Sequence, residues 1–384
     1  MTPSIHSHSL PSLPPQTWPA QGFSAPGVQA VFYENIPWQG QLKRVFAWLG
    51  MPYLQAGQTC PGMILLHGGG GTAFDEWVRI WNRRGYAAIA MDLCGCIPER
   101  PLVQDGAAHA RHSLGGPPGW DASFDQVDDP IEDQWGYHAI AAAVRARQLL
   151  ASQPGVDPAR IGVTGISWGG YLTCLAAGAD LEFRCAIPVY GCGFLGQNSI
   201  WKDEVFGRKP AGQIERWLEL WDPSQFLPAA AMPLCWVSGT NDFAYPLDSL
   251  QRSYRLPSGD RTLCIRVDMP HSHGDGWAPA EIGVFADSLL LGSAPLPKLL
   301  EHGIDNGKLW ARFNSARPLV SAEICYTRAL GQWQDRKYNR LPAQWTPETG
   351  VVKAEIPSHT SVAYLNVFDD RGCVASTPHL TFVE

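Results

Sequence analysis

Gly165-Ile166-Ser167-Trp168-Gly169-Gly170 is the stretch around which this 384-residue chain is organised. The apolar run 160–164 precedes it and the helix-forming run 171–177 follows it, so a short strand should meet a helix at Ser167. A turn this tight needs small residues two positions before and two positions after the serine, and glycines occupy both. The stretch predicts a nucleophilic serine at the carboxyl edge of a sheet, where the positive pole of a helix favours an oxyanion.

From residue 62 onward, short apolar runs alternate with longer helix-like segments. This alternation is typical of a mostly parallel sheet covered by helices on both faces. The expected strands are 63–66, 86–91, 160–164, 185–189, 234–238 and 263–267, and the expected helices are 74–83, 131–152, 168–178, 247–254 and 279–291. Ahead of them, 28–36 and 42–49 predict an antiparallel hairpin at the first edge of the sheet. In such sheets the chemistry lies on loops that leave the carboxyl ends of strands.

Two of those loops carry the partners that a nucleophilic serine needs. Asp242 follows strand 234–238 and is expected to orient a histidine through its Nδ1. Strand 263–267 is followed by both His271 and His273. His273 is expected to be the general base, because His271 follows Met269-Pro270 too closely after the strand to reach Ser167. His271 is then expected to be a supporting residue of the substrate pocket.

A glycine run predicts the site that would stabilise the oxyanion. Strand 63–66 leads into His67 and four glycines, and glycine lets backbone N–H groups turn into a cavity. Gly69 and Gly70 are expected to supply one arm of an oxyanion hole and the N–H of Trp168 the other. No Gly-Lys-Ser/Thr follows the run, which argues against a phosphate-binding loop. The residues expected to line the substrate pocket are His67, Trp120, His271 and Trp277.

The composition narrows the possible partners. Hydrophobic residues make up 45% of the chain and charged ones 17%, and a net charge of -7 argues against nucleic acid or an anionic membrane as partner. No apolar run approaches 18 residues, and the start resembles no secretory signal, which favours a cytoplasmic protein unless a leader was removed. The ten cysteines include several inside apolar segments, so we expect buried free thiols.

Three regions are expected along the chain. Residues 1–27, rich in proline and serine, predict a disordered or extended leader, and 28–292 form the catalytic domain. After a linker at 292–297, residues 298–384 predict a small β-sandwich without a catalytic constellation, with strands at 308–313, 320–326, 351–356, 361–368 and 380–383. Two long excursions, 92–130 and 194–228, are expected to roof the site and to form a cap.

These motifs together resemble the α/β-hydrolase superfamily, and within it the acetyl xylan esterase, dienelactone hydrolase and prolyl-oligopeptidase-like branch. The resemblance covers about 28–292 and rests on 66–70, 156–170, 188–193 and 239–242. It implies a doubly wound, mostly parallel sheet, and the region after it resembles the Ig-like appendage of some relatives. Because the nucleophile is Ser167, where dienelactone hydrolases use cysteine, lactone hydrolysis of their type is not expected.

The leading interpretation is a serine esterase that needs no cofactor or metal and acts on a small-molecule or carbohydrate ester. A serine peptidase of the same branch is the alternative, disfavoured because no repeats for a propeller are present. A zinc hydrolase is a remote alternative, since 271–275 reads H-x-H-x-D, but this would leave Ser167 unexplained. The 16 tryptophans also allow a non-catalytic carbohydrate-binding role. The oligomeric state stays open.

Overall fold

A nine-stranded mixed sheet forms the centre of the computed structural model, which describes residues 10–98 and 109–382. Its strands are β1 (Thr17–Pro19), β2 (Gln29–Trp38), β3 (Gln41–Gly50), β4 (Cys60–Leu66), β5 (Ala87–Met91), β6 (Val156–Ile166), β7 (Cys185–Val189), β8 (Leu234–Gly239) and β9 (Arg261–Arg266). Their order is β1-β2-β3-β5-β4-β6-β7-β8-β9. The first three strands pair antiparallel and β4 to β9 pair parallel, so the expected hairpin and all six expected strands are confirmed.

Helices cover both faces of this sheet. They are α1 (Asp75–Arg83), α2 (Trp135–Ala151), α3 (Trp168–Ala179), α4 (Ile200–Glu204), α5 (Ala211–Trp221), α6 (Leu247–Ser253), α7 (His273–Trp277) and α8 (Ala280–Leu290). Buried side chains of α2 and α3 share one core, and those of α1 and α8 share the other. All five expected helices are present, but α2 begins later than expected because Ile131–Asp133 forms a separate 3-10 turn. The helices α4, α5 and α7 were not expected.

The strands of the sheet interior are buried from end to end. Every residue of β4 and of β7 is buried, which explains their unbroken apolar sequences. A parallel strand that helices cover on both faces has no solvent side that would require alternating polar residues. Because β4, β6 and β8 run parallel to one another, their carboxyl ends lie at the same edge of the sheet, where the loops that follow them can converge.

The C-terminal region consists of two antiparallel sheets. Its strands are β10 (Lys298–Asp305), β11 (Lys308–Asn314), β12 (Leu319–Thr327), β13 (Asn339–Pro342), β14 (Gln344–Thr346), β15 (Val351–Glu355), β16 (Val362–Asp369), β17 (Val374–Ser376) and β18 (Leu380–Thr381). One sheet has the order β10-β11-β15-β14, and the other has β13-β12-β16-β17 with β18 on β16. Their buried side chains form a core of their own. The expected all-β character is confirmed, while Ig-like identity stays a prediction; of the expected strand 380–383, Val383 lies outside the described residues.

This C-terminal region covers the last edge of the central sheet. The N–H of Ile265 in β9 donates to Ser376 Oγ (2.8 Å), and its carbonyl accepts from Asn366 Nδ2 (3.2 Å). The buried carboxylate of Glu281 in α8 accepts from the N–H of Val374 (2.7 Å). An edge strand otherwise leaves such backbone groups unpaired. Side chains of the C-terminal region thus satisfy the backbone of β9.

The segments that precede and follow the central sheet are also held by hydrogen bonds. Arg371 donates to the carbonyls of Ala294 (2.7 Å) and Pro295 (2.8 Å), which anchors the connection 292–297. At the other end, Arg145 donates to the carbonyls of Pro11 (3.0 Å) and Leu13 (2.6 Å). The described part of the leader, 10–27, is extended and includes β1; residues 1–9 lie outside the described residues.

The cysteines are free thiols, as the sequence predicted. All ten cysteines are free, and Cys96 alone among them is not fully buried. Cys235 and Cys264, on neighbouring strands, have sulfurs 3.7 Å apart and are joined only by a weak hydrogen bond.

Across 10–98 and 109–382, no helix combines the length and apolar character that a membrane span requires.

Three buried histidines predict that acid destabilises the fold. Burial lowers the pKa of His67 to about 3, of His138 to about 4 and of His379 to about 3. In the unfolded chain each would titrate near pH 6.5, so below that pH the unfolded state binds protons that the folded state does not. The stabilisation is complete above pH 6.5 and falls, by up to about 1.4 kcal/mol per pH unit for each histidine, as the pH drops toward 4.

Urea unfolding at pH 7.5, 6.5, 5.5 and 4.5 measures this loss. His379→Gln should make the decline shallower, since His379 is buried and its Nε2 has no hydrogen-bond partner in the described structure. Ser358→Ala, which changes an exposed side chain of the same region that does not titrate, is the control and should leave the slope unchanged. A free energy of unfolding that stays constant from pH 7.5 to 4.5 would contradict the expectation.

Candidate active site

Ser167 stands on a strained turn between β6 and α3. Its φ of 59° and ψ of -119° are unusual for a residue with a side chain, and its N–H donates to the carbonyl of Val189 (3.0 Å). A Cβ on Gly165 would lie 2.1 Å from the carbonyl oxygen of Gly169, and one on Gly169 would lie 1.9 Å from that of Leu66. The turn is therefore possible only with glycine at both positions, as the sequence predicted.

His271 joins Ser167 to Asp242. Its Nε2 lies 2.9 Å from Ser167 Oγ, and its Nδ1 lies 2.8 Å from Asp242 Oδ2. Because a carboxylate accepts hydrogen bonds, it fixes the imidazole proton on Nδ1 and leaves the Nε2 lone pair facing the serine hydroxyl. Asp242 is 2% exposed, and its Oδ1 accepts from the N–H groups of Ala244 (3.0 Å) and Tyr245 (2.7 Å). The three side chains can pass a proton from the serine to the imidazole.

The structure places His271, and not the expected base His273, between Ser167 and Asp242. His271 is not too close to its strand to reach the serine. β9 ends at Arg266, and Asp268 then takes a φ of 55° while its N–H donates to Thr240 Oγ1 (3.2 Å). This reversal brings His271 over Ser167. His273 instead opens α7, whose N-cap is Ser272.

Two aromatic rings enclose the imidazole of His271. Tyr190 stacks on it with ring centroids 4.1 Å apart and planes 25° apart, and Phe243 lies 4.8 Å away on a tilted plane. The hydroxyl of Tyr190 also donates to the carbonyl of Ser272, which holds the loop that carries His271. The position of the ring is thus fixed by packing as well as by its hydrogen bonds.

The glycine loop after β4, which we call the oxyanion loop (residues 67–71), lies against Ser167 and Trp168. A Cβ on Gly68 would be 3.0 Å from Ser167 Cβ, and one on Gly69 would be 2.9 Å from the Trp168 ring. The N–H of Gly71 donates to the carbonyl of Gly68 (3.1 Å), and Gly70 has a φ of 69°. The glycines permit this close approach of backbone to the serine.

His67 anchors the loop and does not line a pocket. Its Nδ1 donates to the carbonyl of Gly68 (2.9 Å), and its Nε2 accepts from the N–H of Leu93 (3.1 Å). Burial lowers its pKa to about 3, so the ring is neutral and able to accept at Nε2. With 1% exposure it is part of the framework, which corrects its expected place in the pocket.

Several tryptophans surround the ring of Trp168, the residue that follows the serine. The ring of Trp168 lies 5.8 Å from Trp120, 5.7 Å from Trp135 and 4.8 Å from Trp201, measured between centroids. Trp201 comes from the excursion 194–228 and donates through Nε1 to Asp121 Oδ1 (2.8 Å). Trp201 was not predicted from the sequence, although the many aromatic residues of that excursion could have indicated it. We call Trp120, Trp168 and Trp201 the tryptophan wall.

Trp277 lies elsewhere. It ends α7 and packs against Phe74 (5.5 Å) and Trp77 (5.6 Å), on the α1 side of the sheet. Its expected role in the substrate pocket is therefore not matched by its position. The second histidine of the loop, His273, lies next to the same Phe74 ring (4.8 Å).

The H-x-H-x-D residues point in different directions. His271 faces Ser167, Nε2 of His273 accepts from the N–H of Gly68 (3.0 Å), and Asp275 bonds to Ser272. In the part of the chain that the structure describes, no group of three or more His, Cys, Asp or Glu side chains is arranged to hold a metal ion. These residues do not fit a zinc site.

Comparisons with known proteins agree with this architecture. The model of the prolyl oligopeptidase family matches residues 106–282, less than half of the chain. An uncharacterised peptidase of Bacillus subtilis, YuxL, is 26% identical over 222 residues, and the match covers 55% of this chain and 30% of that protein. The chain therefore spans less than a third of that relative.

Solved structures of two kinds of enzyme share the fold. Acetyl xylan esterases from Paenibacillus sp. R4 and Thermoanaerobacterium sp. superpose with TM-scores of 0.53 and 0.55 at 20% and 16% identity. These matches cover 69% and 74% of this chain, and 85% and 90% of the esterases. The acylaminoacyl peptidase of Pyrococcus horikoshii gives a TM-score of 0.51 at 17% identity, over 73% of this chain and 43% of the peptidase. The chain therefore has an α/β-hydrolase-like fold and is similar to these enzymes.

Proposed function

We propose that the protein is a serine hydrolase that cleaves carboxylic esters of small molecules or of acylated carbohydrates through an acyl-enzyme. The observation that carries the proposal is the hydrogen-bonded series from Ser167 Oγ to His271 Nε2 and from His271 Nδ1 to Asp242. Both distances are within the range that proton transfer requires. The backbone N–H groups that hold Asp242 keep its charge directed at the imidazole.

The proposed reaction has two halves. Ser167 Oγ attacks the acyl carbon while His271 Nε2 takes its proton, and the imidazolium then gives that proton to the leaving alcohol. A water molecule attacks the acyl-enzyme, again losing its proton to His271, and the acid leaves as the proton returns to Ser167. Asp242 stabilises the imidazolium in both halves. The N–H groups of Trp168 and Gly69 or Gly70 are proposed to bind the oxyanion.

Coverage of the relatives favours ester over peptide substrates. The similar esterases match along 85% and 90% of their length, whereas more than half of the acylaminoacyl peptidase lies outside the match. A peptidase remains the second candidate, because the same three residues can also cleave amides.

The ring of Phe243 suggests where the alcohol binds. It is 50% exposed, and it borders His271. The leaving alcohol must receive its proton from His271 Nε2, so it must bind near this ring. A flat apolar face suits a sugar or an aryl group, which supports an acylated carbohydrate as substrate.

Substrate size is open to a direct test. Because Trp168 directly follows Ser167, we expect the tryptophan wall to border the acyl site, so acetyl and other short acyl groups should be preferred to long ones. Trp120→Ala should lower the ratio of kcat/KM for acetate over octanoate by about tenfold, since a pocket discriminates methylenes by a few kcal/mol at most. The measurement is a panel of p-nitrophenyl esters from acetate to dodecanoate, with acetylated xylan and a peptide anilide beside it.

Trp277→Ala is the matched control for that panel. It removes an indole of similar burial that packs against Trp77 and not against Trp168, so the acyl preference should stay as it is. Wild-type rates that rise steadily toward dodecanoate would refute the short-acyl preference. Turnover of the anilide at rates comparable to the esters would favour the peptidase.

A further inference from the structure

A buried histidine outside the serine–histidine–aspartate series contacts the oxyanion loop. His273 is 7% exposed, and its Nε2 accepts a hydrogen bond from the N–H of Gly68 at 3.0 Å. The loop lies directly on the ring, because a Cβ on Gly71 would come within 2.5 Å of the same Nε2. Phe74 packs against the ring with centroids 4.8 Å apart. The imidazole is therefore enclosed by the loop and by Phe74.

The direction of this hydrogen bond fixes the tautomer of His273. A backbone N–H can only donate, so Nε2 must carry a lone pair and the proton of the neutral ring must be on Nδ1. The bond also commits the N–H of Gly68 to the protein. The donors of the loop that remain for an oxyanion are then those of Gly69 and Gly70.

The same short loop reaches both halves of the site. His271 contacts Ser167, and His273, two residues later, contacts the oxyanion loop. Between them, the carbonyl of Ser272 accepts from the hydroxyl of Tyr190, and Ser272 also caps α7. A displacement of this loop would move the base and the oxyanion donors together.

We propose that His273 is a positioning residue that holds the oxyanion loop in place by accepting the N–H of Gly68, so that the donors of Gly69 and Gly70 face the acyl oxygen. The proposal rests on the serine-hydrolase function proposed above. His273 does not touch the reacting atoms and takes no proton. Its contribution should appear where the oxyanion is formed, in kcat, and not in ground-state binding.

Two variants of matched shape separate the acceptor from the volume. His273→Gln keeps an acceptor on a chain of similar length, and His273→Met has nearly the same shape without a strong acceptor. On p-nitrophenyl acetate, His273→Met should lose about 10- to 100-fold in kcat, less than the loss of a whole oxyanion donor. KM and the apparent pKa of the kcat/KM profile should stay within error of wild type, and His273→Gln should recover most of kcat.

Equal kcat for the Gln and Met variants, both with wild-type thermal stability, would overturn the proposal. A shifted apparent pKa in His273→Met would do so as well, because it would show that His273 acts through His271. Failure of the function itself has a different signature, in which Ser167→Ala retains turnover. If both variants fail to fold, ¹⁵N NMR of the wild-type imidazoles still decides the matter: a proton on Nε2 of His273 overturns the proposal, and a proton on Nδ1 supports it.

Discussion

His271→Ala should lower kcat by about 10⁴- to 10⁶-fold, the loss seen when the base of such a triad is removed. The substitution leaves Ser167 without a proton acceptor and Asp242 without the partner of its Oδ2. Because Asp242 also accepts two backbone N–H groups, the fold should persist. The measurement is kcat on p-nitrophenyl acetate, with circular dichroism to verify the fold.

The neighbouring histidine supplies the control. His273→Ala lies two residues further on, removes the same imidazole, and should cost no more than about 100-fold, the range of a lost supporting contact. The sequence alone had suggested the opposite order of the two effects. If His273→Ala were the more damaging variant, the assignment of His271 as base would be wrong. If neither variant lost activity, the whole serine-hydrolase proposal would fail.

Ending the chain at Pro295 should prevent the remaining residues from folding into a soluble enzyme. The cut removes the side chains that satisfy Ile265 in β9 and leaves the carboxylate of Glu281 without the N–H of Val374. It also uncovers apolar surface, since Tyr364 and Val374 are buried within the two cores that pack against the central sheet. An unpaired edge with apolar neighbours promotes aggregation. Soluble yield and gel filtration of residues 1–295 would measure this.

A single substitution at the same junction gives a graded version of the test. Ser376→Ala leaves the buried N–H of Ile265 without its acceptor and should lower the free energy of unfolding by about 1–3 kcal/mol. Ser358→Ala, at an exposed position of the same region, is the control and should change it by less than about 0.5 kcal/mol. A soluble and fully active 1–295 chain would show instead that 28–292 folds alone, as the sequence had suggested.

The sequence predicted best those elements whose burial produces a simple pattern of apolar residues. The strands of the central sheet are apolar throughout because helices cover both faces, and their bounds were predicted to within a few residues. Ser167 and Asp242 could be placed because each directly follows such a strand. By contrast, β10 reads Lys-Leu-Leu-Glu-His-Gly-Ile-Asp and has no buried residue, so no apolar pattern marked it.

Whether His271 or His273 contacts Ser167 depends on the backbone conformation of the loop, which the sequence does not reveal. His271 reaches Ser167 because Asp268 adopts a positive φ. Aspartate tolerates this conformation, but its presence in a sequence does not predict it. Trp277 was placed in the pocket because it is near His273 in sequence, yet one turn of helix directs it to Trp77. Side-chain direction after an irregular loop is a property of the folded backbone, and spacing along the chain does not give it.

The two glycines around Ser167 have a consequence for how such chains change over evolutionary time. Their hydrogens face the carbonyl oxygens of Leu66 and Gly169 at distances that admit no methyl group, whether or not the serine reacts. A descendant that had lost all activity would still be held to glycine at both positions, because an alanine there would disrupt the sheet itself. Retained glycines at these positions would therefore indicate only that the backbone is tightly packed there. The evidence for chemistry is the hydroxyl of Ser167 and its contact with His271.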